Sequence, residues 1–196
     1  MTKPQGSKSN NLTKVEVSSE NELWDWLDVN HASDQSFLLV TWKKTNTEKY
    51  INRDSVLDAL LVYGWIDGRR YALDKDRTMQ LICKRKQQDW TQTYRKRVEK
   101  LLADGKLKEA GLAAIRLAQS NGTWLANQNV DNLEAPNALL DALNLEQGLV
   151  WWQSSALSYQ RNVLRWSNLA KTEKTRLKRI NAIAKACRDG QKIKNL

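Results

Sequence analysis

The sequence predicts an α+β fold: a small, mostly antiparallel sheet in the N-terminal half packed on helices, and a helix-rich C-terminal half. Three observations predict it. Runs rich in β-branched and aromatic residues, led by QSFLLVTWK at 35–43, lie before residue 85. From Trp90 onward the apolar residues recur at helical spacing. The chain has 196 residues, 41% of them hydrophobic, with nine tryptophans, enough to build a core without disulfide or metal support.

The elements follow in order. Residues 1–18, with Pro4, Gly6 and several Ser and Asn, read as a disordered arm. Residues 19–190 read as one domain, α+β over 19–88 and helical over 89–190, with 191–196 as a tail. Ser19 and Glu22 have the spacing of a capping box, and Leu23, Trp24, Trp26 and Leu27 give the first helix its apolar face as far as Asn30. Residues 35–43 form a buried strand. Asn52 caps a second helix carrying Val56, Leu57, Leu60 and Leu61, which stops at Gly64. Residues 66–73 read as a strand or tight loop, and 78–84 as another strand. Tyr94, Val98, Leu101 and Leu102 then mark a helix ended by Gly105, and Leu107, Ala110, Ala114 and Ala118 a slim-faced one broken at Asn121-Gly122. Residues 127–132 read as a loop. Asp131 with Glu134 is the expected cap of a short helix holding Leu139, Leu140 and Leu143. Ser155 is the expected cap of one holding Tyr159, Val163, Trp166 and Ala170. The last helix runs from about Thr172 with Leu177, Ile180, Ala184 and Cys187 in one stripe, and Gly190 ends it.

Composition narrows the function classes. Cys83 and Cys187 are far apart, which excludes a disulfide scaffold and a CxxC metal site and fits a reducing compartment. No apolar run follows the N-terminal lysines and no stretch reaches membrane-spanning length, so the expected address is the cytoplasm. The net charge of +10 favours anionic partners: nucleic acid, phosphates or an anionic membrane surface. Solubility alone accounts for such a charge equally well. His31 is the sole imidazole, so a transition-metal centre and a histidine-based triad lack their ligands and base; no cofactor is expected. Neither a P-loop nor GxGxxG occurs.

Three segments carry chemistry-bearing residues. In Tyr63-Gly64-Trp65-Ile66-Asp67-Gly68-Arg69-Arg70, one reading is a pocket corner. Trp65 is then a stacking wall, Asp67 an acceptor or general base, and Arg69 or Arg70 an anion clamp. The other reading is a helix exit with a core tryptophan and a turn-capping aspartate. In Lys84-Arg85-Lys86 followed by Trp90 and Tyr94, charge interleaved with aromatics suits single-stranded nucleic acid, unless the aromatics face inward. The segment from Ala170 to Ile180, with Lys171 and Arg176, either lies against phosphates or presents a solvated basic face, with Glu173 and Arg176 placed to pair.

The same segments resemble the YdeI/OmpD-associated (OmdA, bacteriocin-protection) family. The resemblance rests on Leu61-Val62-Tyr63-Gly64-Trp65-Ile66-Asp67-Gly68, and on Trp90-Thr91 before Arg95-Lys96-Arg97-Val98-Glu99-Lys100-Leu101, Gly105 and Ala110-Gly111-Leu112. It rests also on Tyr159-Gln160-Arg161, Trp166 and the run from Ala170 to Ile180. Gln80, Cys83 and Tyr94 depart from the family's usual basic, proline and asparagine residues. The resemblance implies an association with survival of bacteriocins and cationic antimicrobial peptides, and it brings no agreed cofactor or catalytic residue. The sequence thus reads first as a cytoplasmic accessory or binding protein. The alternatives are an enzyme or binder acting on a small anionic ligand at the GWIDGRR segment, and a nucleic-acid binder using basic helices. Its oligomeric state is left open.

Overall fold

A computed structural model describes residues 12–193, which fall into two compact units dividing between Trp124 and Leu125. The arm expected over residues 1–18 is described only from Leu12, and there the expectation needs correction. Lys14–Glu16 forms strand β1, parallel to β2 (Ser36–Trp42). Only Val15 of this three-residue strand packs on the core, so its polar flanks hide it in the sequence. A parallel pair needs a crossover, and helix α1 (Glu20–Asn30) supplies it.

The cap of α1 forms as its spacing predicts: Ser19 Oγ accepts from the Glu22 N–H. The Glu22 carboxylate reaches back one residue further than a capping box does, accepting from Ser18 N and Oγ at 2.8 Å. Asn52 likewise caps α2 (Arg53–Val62), and Gly64 follows it at φ 71°, the left-handed stop that glycine adopts without strain. Strands β3 (Trp65–Ala72) and β4 (Arg77–Lys84) complete a four-stranded mixed sheet in the order β1-β2-β4-β3. One face packs on α1 and α2 through Phe37, Leu39, Ile82 and Trp65 against Leu23, Leu27 and Leu60. Trp26 meets the rings of Phe37 and Trp65 edge-on at 5.0 and 5.6 Å.

Helix α3 (Gln92–Ala103) is tied to α2 by Arg97, which reaches Asp54 at 2.6 Å and Asp58 at 2.8 Å. Helix α4 (Glu109–Ser120) comes so near α2 that a Cβ on Gly111 would lie 2.4 Å from the Val62 carbonyl oxygen. The slim face built on Ala110 and Ala114 serves this approach.

The C-terminal unit consists of α5 (Gln128–Asp131), α6 (Asn137–Leu145), α7 (Leu149–Ser154), α8 (Leu157–Asn168) and α9 (Glu173–Arg188). Its core joins Val130, Leu139, Leu143, Val163, Leu164, Ile180 and Ile183, with α9 packed against α6, α7 and α8. Three expectations change here. The predicted loop at 127–132 contains α5. Asp131 and Glu134 do not cap α6, which starts after Pro136 without a side-chain cap. Ser155 ends α7, its hydroxyl donating to the Trp152 carbonyl, and α8 starts after Ala156. Thr172 does cap α9, accepting from Thr175 N–H. On α9, Ile180, Ala184 and Cys187 are buried as expected, but Leu177 is 44% exposed and Ile183 joins the core stripe instead. Among the described residues, no helix is long and apolar enough to cross a membrane.

Candidate anion-binding site

The β3–β4 register pairs Asp67 with Ile82 and Arg70 with Gln80, with an irregularity between Asp67 and Arg70. In an uninterrupted strand, residues three apart point to opposite faces. The bulge over Gly68 and Arg69 turns Arg70 to the same side as Asp67, and both bond the Gln80 side chain. Arg70 Nη2 donates to Gln80 Oε1 at 2.6 Å. Gln80 Nε2 donates to Asp67 Oδ2 at 2.9 Å and to the Gly68 carbonyl at 3.2 Å. Tyr94 of α3 donates its hydroxyl to Asp67 Oδ1 at 2.5 Å.

This chain keeps the carboxylate and the guanidinium apart. Both Asp67 oxygens are occupied by neutral donors. Among the described residues, the acceptors of Arg70 are neutral: Gln80 Oε1 and, at a long 3.5 Å, Thr78 Oγ1. Desolvation and the neighbouring Arg53 charge lower the Arg70 pKa, with Asp67 and Tyr50 opposing them. Burial, then the bond to Asp67, pushes the Tyr94 hydroxyl up to about 12.

Arg85 follows β4 and is 4% exposed. Its guanidinium carbon lies 3.9 Å from the Trp90 ring centroid and 5.0 Å from that of Tyr94, so two aromatic faces replace much of its hydration. Nη1 donates to the Gln88 and Asp89 carbonyls at 3.3 Å, while buried Nε and Nη2 have no hydrogen-bond partner among the described residues. Desolvation lowers its pKa to about 10, opposed by Tyr94, Asp67 and Cys83.

The candidates named from sequence separate on this geometry. Asp67 and Arg70 come together. Trp65 does not join them: it is fully buried, packed on Trp26 and Phe37, with Nε1 donating to the His31 carbonyl at 3.0 Å. That corrects its reading as a stacking wall. Arg69, in the bulge, lies over the Tyr71 ring, and it is Arg70 of the two that bonds Gln80. Trp90 is buried against Trp124 and under Arg85, and Tyr94 is spent on Asp67, so neither ring is open for base stacking. Lys84 lines a hollow beside Arg85. Lys171 and Arg176 belong to the other unit, both exposed, and Arg176 reaches Glu173 at 3.8 Å as its spacing predicts. The Trp65–Arg70 segment by itself does not show that Gln80 and Tyr94, which the sequence marks as departures from the family pattern, join Asp67 and Arg70 in one network. The period of two along β4, which puts Thr78, Gln80 and Ile82 on one side, was the available signal for Gln80. His31 stands over Leu27 and Asp28 carbonyls at 3.1 and 3.0 Å. Among the described residues, no group of three His, Cys, Asp or Glu is placed to hold a metal ion.

Residues 132–190 match the family described as bacteriocin-protection, YdeI or OmpD-associated, and the motif from Tyr159 to Ile180 lies inside that match. No curated protein and no solved structure matches the chain. Residues 15–114, which hold the Trp65–Arg70 segment, Gln80, Arg85 and Tyr94, match the family described as domain of unknown function DUF8412, and over that half of its length the chain belongs to this family.

Proposed function

We propose that the chain is a cytoplasmic binding protein, accessory to bacteriocin protection, whose N-terminal unit takes a small phosphate-class anion between Arg53 and Arg70. The observation that carries this reading is the interposed Gln80. It holds Arg70 in a fixed direction through a neutral acceptor and leaves the guanidinium charge unspent on any hydrogen-bonded carboxylate. A planar, oriented guanidinium beside a second one suits phosphate oxygens. Asp67, held by Tyr94 and Gln80, orients the clamp rather than neutralising it. A positive net charge of 10 repels polycations, so protection works through an anionic ligand and not by capturing a cationic peptide.

Calorimetric titration with inorganic pyrophosphate tests it. Wild-type protein is expected to bind, with Arg70→Gln and Arg53→Gln each weakening binding by about tenfold or more. Equal affinity in all three proteins would refute the site.

A second reading, nucleic-acid contact, is favoured by one observation in the C-terminal unit. Lys174, Lys178 and Lys185 line one hollow along α9 and form no ion pair among the described residues. Fluorescence anisotropy of labelled oligonucleotides at about 50 and 200 mM salt checks it; a steep loss of affinity with salt supports that face, and no binding at low salt removes it.

A further inference from the structure

Two adjoining hollows in the N-terminal unit, of about 260 and 550 Å³, share Lys84, Arg85 and Leu117. The smaller has an apolar floor on α4 made by Ala110, Ala113 and Ala114, against Gly64. Its rim is basic. Arg85 lines both hollows, and its Nε and Nη2 are buried without a hydrogen-bond partner among the described residues. Those two N–H groups form one edge of the guanidinium plane, with parallel donors spaced to take both oxygens of a carboxylate. Leaving such an edge buried without an acceptor is costly, because hydrogen bonds to a charged donor are worth more than neutral ones. The Trp90 and Tyr94 rings compensate the charge through their faces and supply no in-plane acceptor.

We infer that this cleft is a second binding site, for a free hydrophobic monocarboxylate. The acid's two oxygens accept from Arg85 Nε and Nη2, Lys84 adds a second cation, and the apolar tail lies along Ala110, Ala113 and Leu117. The turn carrying Lys86, Gln87 and Gln88 is the wall that yields to admit it. Its hold on Arg85 consists of two long bonds of 3.3 Å from Nη1 to the Gln88 and Asp89 carbonyls. Trp90, directly against the guanidinium, becomes the reporter.

The test titrates the full chain with octanoate, following tryptophan fluorescence and binding heat. Octanamide, which keeps the tail and lacks the charge, runs in parallel. So does a tripeptide with an apolar C-terminal residue, which separates a free acid from a chain terminus. Arg85→Gln risks unfolding, so the decisive variants are Lys84→Gln at the rim and Ala113→Leu, which fills the floor from an exposed helix position. Saturable octanoate binding is expected, about tenfold or more tighter than octanamide and weakened at least tenfold by each variant while circular dichroism is unchanged. The assignment is overturned if octanoate fails to bind, binds no better than octanamide, binds both variants as it binds wild type, or is outcompeted by the peptide.

Discussion

The two units solve the problem of interior polarity differently. In the N-terminal unit, charged groups are wired to one another from the surface inward: exposed Arg70 to buried Gln80 to half-buried Asp67 and Tyr94, with buried Arg85 lying against the Tyr94 ring. In the C-terminal unit, buried Gln160 and Tyr159 serve the backbone. Gln160 donates to the Trp152 and Ser155 carbonyls at a helix junction, and the Tyr159 hydroxyl accepts from Ile193 N–H. Lys174, Lys178 and Lys185 there stay exposed on α9, and half-buried Arg179 again serves the backbone by donating to the Trp166 carbonyl. The difference teaches where to look for a ligand. Interior polar groups that complete helix ends are accounted for by folding alone, whereas a buried cation left without a carboxylate is not.

The largest effect that separates the units is Trp65→Ala. It is expected to cost about 3–5 kcal/mol from lost burial and cavity, plus the hydrogen bond to the His31 carbonyl. Native-state hydrogen exchange should show the loss in β2, β3 and β4. A cost below about 1 kcal/mol would mean the aromatic cluster of Trp26, Phe37 and Trp65 is not the core described. Next come the paired glutamines. Gln80→Leu removes the acceptor of Arg70 and a donor to Asp67, with an expected cost of about 2–3 kcal/mol. Gln160→Leu leaves two neutral carbonyls and costs about 1–2 kcal/mol. Urea denaturation of both variants measures the comparison, and an equal or reversed order would break it. Smaller still are the caps. Ser19→Ala is expected to lose about 1 kcal/mol, while Ala156→Asp, placing a side-chain acceptor where α8 has none, gains roughly 0.5–1 kcal/mol, both read as shifts in the urea midpoint.

A pH effect is expected in the N-terminal network. Tyr94 has a raised pKa in the folded chain, about 12 against an ordinary 10. Its contribution is therefore complete below pH 10 and is lost as pH rises through about 12. Tyrosinate absorbance during alkaline titration should show fewer late-ionising groups in Tyr94→Phe than in wild type. An unchanged curve would contradict the bond to Asp67.

Legibility in the sequence also differs between the units, for the same physical reasons. Elements announced by side chains were read correctly: Ser19 and Asn52 cap where their spacing says, and Gly64 stops α2 in the left-handed conformation. In the C-terminal unit, α6 and α8 begin at Pro136 and Ala156 with no side-chain cap, and nearby Asp131 and Ser155 attract the assignment away from the true starts. β1 was hidden because a parallel strand of three residues exposes two of them. At the candidate site, Asp67 and Arg70 were legible as chemistry. The bulge that turns them to one side, and the Gln80 between them, depend on the pairing of β3 with β4, which local composition does not encode.

The central claim is that a neutral Gln80 keeps Arg70 free to take an anion, and Gln80→Glu tests it most directly. That change places a carboxylate against Arg70 without removing the arginine and sets a second negative charge beside Asp67. Titrated with pyrophosphate beside wild type, Gln80→Glu is predicted to lose binding while remaining folded by circular dichroism. Undiminished affinity in Gln80→Glu would show that the anion does not meet Arg70, and the account of this site would fail.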